Sequence, residues 1–232
     1  MIELRPYQEL GGAQHGWLET RHHFSFAEYH DPKRMHWGHL RVWNDDIIAP
    51  HSGFPGHPHR DMEIITYVRA GAITHRDHLG NEGRTVAGDV QVMSAGTGIA
   101  HSEFNHEDEE TRLFQIWILP NEKGLPPNWG TRQFPRNERS GTFITLASGL
   151  PEDAEALPIR ADARLVAATL KAGQTADYQL APGRKAYLVP ASGRVDINGV
   201  KAEMGDGVAI QDEILLRFTA EDESEIVLVD VA

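Results

Sequence analysis

The sequence contains one pattern of short strands and glycine turns twice, and this repeat limits the fold more than any other feature. Tyr67, Gly71 and the pair Gly88-Asp89 in the first half are matched in the same order by Tyr187, Gly193 and the pair Gly205-Asp206 in the second half. A unit of about half the chain, built of short strands and turns, predicts two β-barrels of one design. The fold class is therefore expected to be all-β.

A segment rich in Pro, Asn and Gly runs from Pro120 to Pro135 and offers the clearest boundary between the two repeats. We predict a first barrel over residues 1–120, a linker over residues 121–135 and a second barrel over residues 136–232. Short strands before residue 50 are expected to be separated by turns at Asp31-Pro32 and Asn44-Asp45.

Histidine is confined to the first repeat. All 13 histidines lie between His15 and His106. Strand residues two apart share a face, so His57 and His59 are expected to point one way, and His101 and Glu103 likewise. Two such strands side by side would bring together three imidazoles and one carboxylate, a set that suits a first-row divalent metal with open coordination positions. Pro58 cannot donate a ladder hydrogen bond, which predicts that this segment is a sheet edge, a bulge or the start of a strand.

Glu63 has the same parity as His57 and His59 and is a second candidate carboxylate. The residues alone leave open whether it binds the metal directly or orients a ligand histidine or a water.

Composition excludes several classes of protein. The chain has no cysteine, so disulfides, thiolate zinc sites and cysteine nucleophiles are excluded. Its net charge of -12 disfavours binding to nucleic acid. No signal peptide and no apolar run long enough to span a membrane is recognisable, which predicts a cytoplasmic location without membrane contact. A monomer is expected, because two barrels already cover their sheet edges.

The quoted residues resemble the cupin superfamily and, within it, the bacterial members of the pirin family. His57, His59, Glu63 and Gly71 follow the first cupin motif, although seven residues rather than six separate Glu63 from Gly71. The stretches His57 to Glu63 and Ser94 to Glu103, together with Phe24-Ser25-Phe26, are close to pirin sequences. The resemblance spans nearly the whole chain and implies two tandem cupin barrels of the jelly-roll type, the second without metal ligands.

This resemblance also implies a site and an activity. The ligands would be His57, His59, His101 and Glu103, with Glu63 beside them, and the ion would be Fe2+, with Zn2+, Ni2+, Mn2+ and Co2+ as alternatives. Bacterial relatives of this kind are associated with quercetin 2,3-dioxygenase activity, in which a flavonol and O2 react with loss of carbon monoxide. For such a substrate, Glu103 or Glu63 would accept the proton of the hydroxyl. Aromatic walls for the flat rings would come from Phe54, Phe24 or Trp43. Mammalian relatives are associated with metal sensing and protein binding, so an interaction protein without turnover is the alternative.

Overall fold

The computed structural model describes all 232 residues and confirms an all-β chain built of two barrels. Its helical segments are the 3₁₀ turns Tyr7–Glu9 and Arg136–Arg139. Neither is long and apolar enough to cross a membrane.

The first barrel consists of a seven-stranded sheet facing a four-stranded sheet. The strands of this barrel are β2 (Gly11–Gln14), β3 (Leu18–His22), β4 (Leu40–Ile48), β5 (Ser52–His59), β6 (Glu63–Ala70), β7 (Ala72–Asp77), β8 (Glu82–Val86), β9 (Val90–Ser94), β10 (Ile99–Asn105), β11 (Thr111–Ile118) and β12 (Asn128–Arg132). The large sheet has the order β12-β9-β6-β11-β4-β3-β2 and the small sheet the order β5-β10-β7-β8.

The second barrel has the same two-sheet construction. The strands of this barrel are β1 (Ile2–Arg5), β13 (Ile144–Ser148), β14 (Leu157–Pro158), β15 (Ala163–Leu170), β16 (Thr175–Gln179), β17 (Lys185–Ser192), β18 (Arg194–Ile197), β19 (Val200–Glu203), β20 (Gly207–Gln211), β21 (Leu215–Ala220) and β22 (Ser224–Val231). Its large sheet has the order β1-β20-β17-β22-β15-β13-β14 and its small sheet the order β16-β21-β18-β19.

The predicted repeat is visible in these strand orders. Strands β9-β6-β11-β4 of the first barrel correspond to β20-β17-β22-β15 of the second. The paired glycines also match, since Gly71 and Gly193 both have a φ of 73°. This backbone conformation favours glycine, which explains why both repeats have glycine at this turn.

The division into residues 1–120, 121–135 and 136–232 remains a prediction, and two strands do not follow it. Strand β1, at the start of the chain, pairs with β20 of the second barrel. Strand β12 lies within the predicted linker and pairs with β9 of the first barrel. Through β1, backbone hydrogen bonds join the N-terminal end of the chain to the second barrel.

The two large sheets pack against each other and share the main core. One cluster of 25 buried apolar residues contains Trp43 and Phe114 from the first barrel and Tyr187 and Val227 from the second. The ring centroids of Trp43 and Tyr187 are 5.8 Å apart. The interior of the second barrel is a separate cluster of 16 buried apolar residues.

The turn predicted at Asn44-Asp45 is wrong, because β4 continues through both residues. Hydrogen bonds to β3 and β11 on its two sides satisfy the backbone of β4. The polar side chains also have partners: Asn44 contacts His22 at 2.9 Å, and Asp45 forms an ion pair with Arg69. Tertiary pairing therefore overrides the local turn preference of these residues.

Candidate metal centre

Three histidines meet where strands β5 and β10 lie side by side. The strand register pairs His57 with His101 and places His59 opposite Ile99. The ligand nitrogens of His57, His59 and His101 all lie within 4.8 Å of one another. The strand carrying Pro58 is at the edge of the four-stranded sheet, as the proline predicted.

A local irregularity sets the spacing between β5 and β10. The register of β10 against β5 shifts between His101 and Glu103. Gly53 of β5 lies at this point, and a Cβ atom there would be 2.2 Å from the carbonyl oxygen of Glu103. Only glycine permits so close an approach, so Gly53 helps to hold the two ligand-bearing strands together.

Two of the three imidazoles, those of His59 and His101, are uncharged at neutral pH. Burial, with the neighbouring His57, lowers the pKa of His59 to about 4. Burial and the surrounding histidines lower the pKa of His101 to about 2. His57 donates its Nδ1–H to the carbonyl oxygen of Pro55 over 2.7 Å. Its Nε2 is therefore unprotonated and can bind a metal ion, and it lies 3.1 Å from Nε2 of His101. Neutral rings with free nitrogens are what metal binding requires.

His75 and Asp77 orient the His101 ring through contacts on its Nδ1 side. Nδ1 of His101 is 3.2 Å from Nδ1 of His75, and Nε2 of His75 is 3.0 Å from the Asp77 carboxylate. The His75 ring stacks on Trp129 with centroids 4.8 Å apart. If Asp77 accepts the Nε2–H of His75, then Nδ1 of His75 accepts the Nδ1–H of His101. This arrangement turns Nε2 of His101 toward the other two rings.

Glu103 lines the same cavity but is not among the converging donors. It is 2% exposed, and burial raises its pKa. Its Oε1 accepts hydrogen bonds from Thr66 at 3.0 Å and Gln91 at 2.5 Å, and its Oε2 accepts one from Gln115. A carboxylate oxygen has two lone pairs, so Oε2 retains one with which to bind an ion.

Glu63 does not face the histidines, contrary to the parity expected from the sequence. Strand β5 ends at His59, and Asp61, with a φ of 46°, lies in the loop that leads to β6 of the opposite sheet. Glu63 therefore starts a new strand, on the face directed toward the second barrel. There it accepts hydrogen bonds from the Ser94 hydroxyl at 2.6 Å and the Arg160 backbone N–H at 3.1 Å.

The histidines open onto a cavity of about 390 Å³ with aromatic walls. Its aromatic lining residues are Trp17, Phe26, Phe54 and Trp117. Trp117 meets His59 edge to face with centroids 5.0 Å apart. Of the three aromatic residues expected here, Phe54 lines the cavity, whereas Phe24 and Trp43 belong to the core shared by the two barrels.

Sequence reasoning missed the polar residues on the floor of this cavity. Asp46 and Gln115 come from the adjacent central strands β4 and β11, and Thr20 of β3 pairs with Asp46. Asp46 is 2% exposed. The available signal was a polar residue in the middle of a strongly apolar strand, since buried polar groups need a partner or a purpose.

The donor set fits a divalent first-row metal ion. Three imidazoles converge, a carboxylate lies in the same cavity, and the cavity offers room beside the ring nitrogens. Imidazole is a ligand for zinc, copper, iron and nickel, and the absence of a closed thiolate shell distinguishes this site from structural zinc sites.

Two family models match this chain. The model described as Pirin matches residues 3–118, and the model described as Quercetinase C-terminal cupin domain matches residues 145–231. These two ranges contain most strands of the first and second barrel, respectively, although β1 and β12 lie outside the range of the barrel to which they belong.

Relatives match along the whole chain. A Caulobacter vibrioides protein named pirin-like protein is 62% identical over 232 residues, covering 100% of both chains. An Escherichia coli protein named quercetin 2,3-dioxygenase is 42% identical over 232 residues, covering 100% of this chain and 99% of its own. A crystal structure of the bacterial pirin YhhW of Escherichia coli in complex with nickel(II) superposes with a TM-score of 0.93 at 42% identity, covering 100% and 99% of the two chains.

Proposed function

This chain belongs to the pirin family, and we propose that it is a metal-dependent dioxygenase that cleaves quercetin, or a similar aromatic enol, with O2. The observation that carries this proposal is the convergence of three imidazoles on the wall of an aromatic cavity. A structural ion would need neither the cavity nor free coordination positions. The similarity to a relative named quercetin 2,3-dioxygenase supports the same reaction class.

The cavity suits a flat aromatic substrate of modest size. Its volume of about 390 Å³ lies near the lower end of the range for small-molecule sites, about 300–1,000 Å³. Trp17 and Phe54 meet edge to face with centroids 5.1 Å apart, and Phe26 and Trp117 do so at 5.4 Å. Two aromatic pairs of this kind provide rigid apolar surfaces for the rings of a flavonol.

We assign His57, His59 and His101 as metal ligands and Glu103 as the fourth. The three side chains that donate to Glu103 hold its carboxylate on the floor of the cavity. Fe2+ is the ion we propose, because it suits O2 chemistry. Zn2+, Ni2+, Mn2+ or Co2+ would bind the same nitrogen donors. When bound, such an ion acts as a Lewis acid toward a substrate oxygen.

Oxygen uptake by the purified, Fe2+-loaded protein tests the proposal. We expect uptake that depends on quercetin and is lost in His101→Ala and Glu103→Ala. The matched control is His106→Ala, which removes an exposed histidine at the end of the same strand and should leave uptake unchanged. A protein that binds one ion but shows no flavonol-dependent uptake with any of these metals would refute the enzyme and favour an interaction protein.

A further inference from the structure

We propose that Asp46 is the base that takes the proton from the substrate hydroxyl. This inference rests on the dioxygenase function proposed above and adds a residue to it. Asp46 belongs to β4, on the floor of the cavity that His57, His59 and His101 line from the small sheet. A substrate held in the cavity would therefore lie between Asp46 and the metal ligands.

The Asp46 carboxylate is buried and incompletely bonded, which is rare in a folded protein. Only 2% of the residue is exposed, and its Oδ1 has no hydrogen-bond partner. The hydroxyl of Thr20, on the paired position of β3, lies beside this carboxyl and lowers its pKa. A buried carboxylate oxygen left without a partner beside a cavity indicates that a ligand with a hydroxyl group completes it.

The other acidic groups near the cavity are already engaged. Glu103 accepts three hydrogen bonds from neutral side chains and is the expected fourth ligand. Glu63 faces the second barrel. Asp45 precedes Asp46 but points to the opposite face of β4, where it forms an ion pair with Arg69. Asp46 is thus the carboxylate of the cavity floor that is free to accept a proton.

The surroundings of Asp46 adjust its basicity to this task. Burial is the main cause that raises its pKa to about 7, and the negative charges of Asp45 on its own strand and Glu103 on β10 add to the effect. The Thr20 hydroxyl on β3 and the positive charge of Arg69 on β6 act in the opposite direction. A general base works best when its pKa lies near the operating pH.

The proposed step is a single proton transfer. The O–H bond of the enolic hydroxyl of the substrate breaks, and a new O–H bond forms at Oδ1 of Asp46. The electron pair remains on the substrate oxygen, so the substrate becomes an electron-rich anion and Asp46 becomes neutral. Thr20 is placed to donate a hydrogen bond to the same oxygen or to Asp46.

The test is a titration of the Ni2+-loaded protein with quercetin without oxygen, read from the absorption spectrum of the bound flavonol. We expect the wild-type protein to bind the anion at pH 7 and Asp46→Asn to bind the neutral form, reaching the anion only at higher pH. Turnover by the Fe2+-loaded variant should fall by a factor of about 10² to 10⁴, and Asp46→Glu should restore part of it. The ion content should stay the same.

The outcomes separate this inference from the function on which it rests. Equal anion spectra and equal turnover in the wild type and Asp46→Asn would overturn the role of Asp46 and leave the dioxygenase intact. Failure of the wild-type protein to bind or turn over quercetin would overturn both. Asp177→Asn, the same change on the surface of the second barrel, controls for any general effect of removing a carboxylate.

Discussion

Glu225 holds together a buried charged cluster between the two barrels, and replacing it by Gln should destabilise the whole chain. Its Oε1 accepts hydrogen bonds from Tyr67 of the first barrel, and from Arg136 and Arg139 at 3.0 Å each. The side chain of Arg139 is 1% exposed, and its Nε and Nη1 have no hydrogen-bond partner. Glu225→Gln therefore leaves a buried guanidinium without its counter-charge.

Removing one partner of a buried ion pair costs about 3–5 kcal/mol. The lower end applies here, because the Arg136 side chain is 42% exposed and can turn to water, and Gln can still accept one hydrogen bond. With a urea m value of about 3 kcal/mol/M for a protein of this size, a loss of about 3 kcal/mol lowers the midpoint by roughly 1 M. Urea unfolding followed by tryptophan fluorescence measures this shift.

The control is Asp177→Asn, which breaks the pair with Arg217 on the surface. Solvent screens an exposed pair of this kind and it contributes little to stability, so the midpoint of this variant should barely move. Adding Arg139→Met to Glu225→Gln should recover stability, because the uncompensated charge is then removed as well. Equal midpoints for Glu225→Gln and Asp177→Asn would refute the assignment of Glu225 as the counter-charge of Arg139.

Three further predictions concern the histidines. His101→Ala or His57→Ala should lose the bound ion, measured by elemental analysis, yet keep a cooperative unfolding transition, since the shared core contains neither residue; a non-cooperative transition would contradict this. His75→Phe keeps the stacking position but removes the bond to His101, so a competitive chelator titration should show about 10- to 100-fold weaker metal binding. Burial lowers the pKa of His23 well below its usual 6.5. As the pH drops below about 6.5, His23 is protonated in the unfolded chain but stays neutral in the folded one, so the free energy of unfolding falls. In His23→Gln the unfolding free energy should fall less steeply with decreasing pH, by up to about 1.4 kcal/mol per pH unit. Equal pH dependence of the unfolding free energy in the variant and the wild type would rule out this role of His23.

The sequence predicted those parts of the site that depend on one strand at a time. His57 and His59 lie two apart on β5, and the alternation of a strand suffices to place them together. Glu63 was misplaced because the alternation was carried across residues 60–62, where the chain leaves one sheet for the other. The alternation of side chains holds only within one strand, so it cannot be extended from β5 to β6. The sequence of residues 60–62 does not show that the chain changes sheets there.

A polar residue within an apolar strand marks Asp46 and Gln115 as unusual, but their place at the cavity could not be predicted, because it depends on which strands become neighbours. Both lie in strands whose two faces are buried, so neither strand shows the alternation that would identify an inner face. The aromatic residues follow the same logic. Phe24 and Trp43 resemble Phe54 in the sequence, but only the packing of the two large sheets decides that they belong to the shared core.

The interiors of the two barrels differ in polarity, the first being polar and the second apolar. The first barrel has two small apolar clusters, of 5 and 4 buried residues, separated by the polar centre around Glu103. The second barrel has a single interior cluster of 16 buried apolar residues and no histidine. Burying carboxylates such as Asp46 and Glu103 costs free energy, and a chain can retain them only if burial elsewhere offsets that cost. The apolar interior of the second barrel and the core shared between the large sheets supply this stabilisation, which leaves the first barrel free to keep a polar cavity for chemistry.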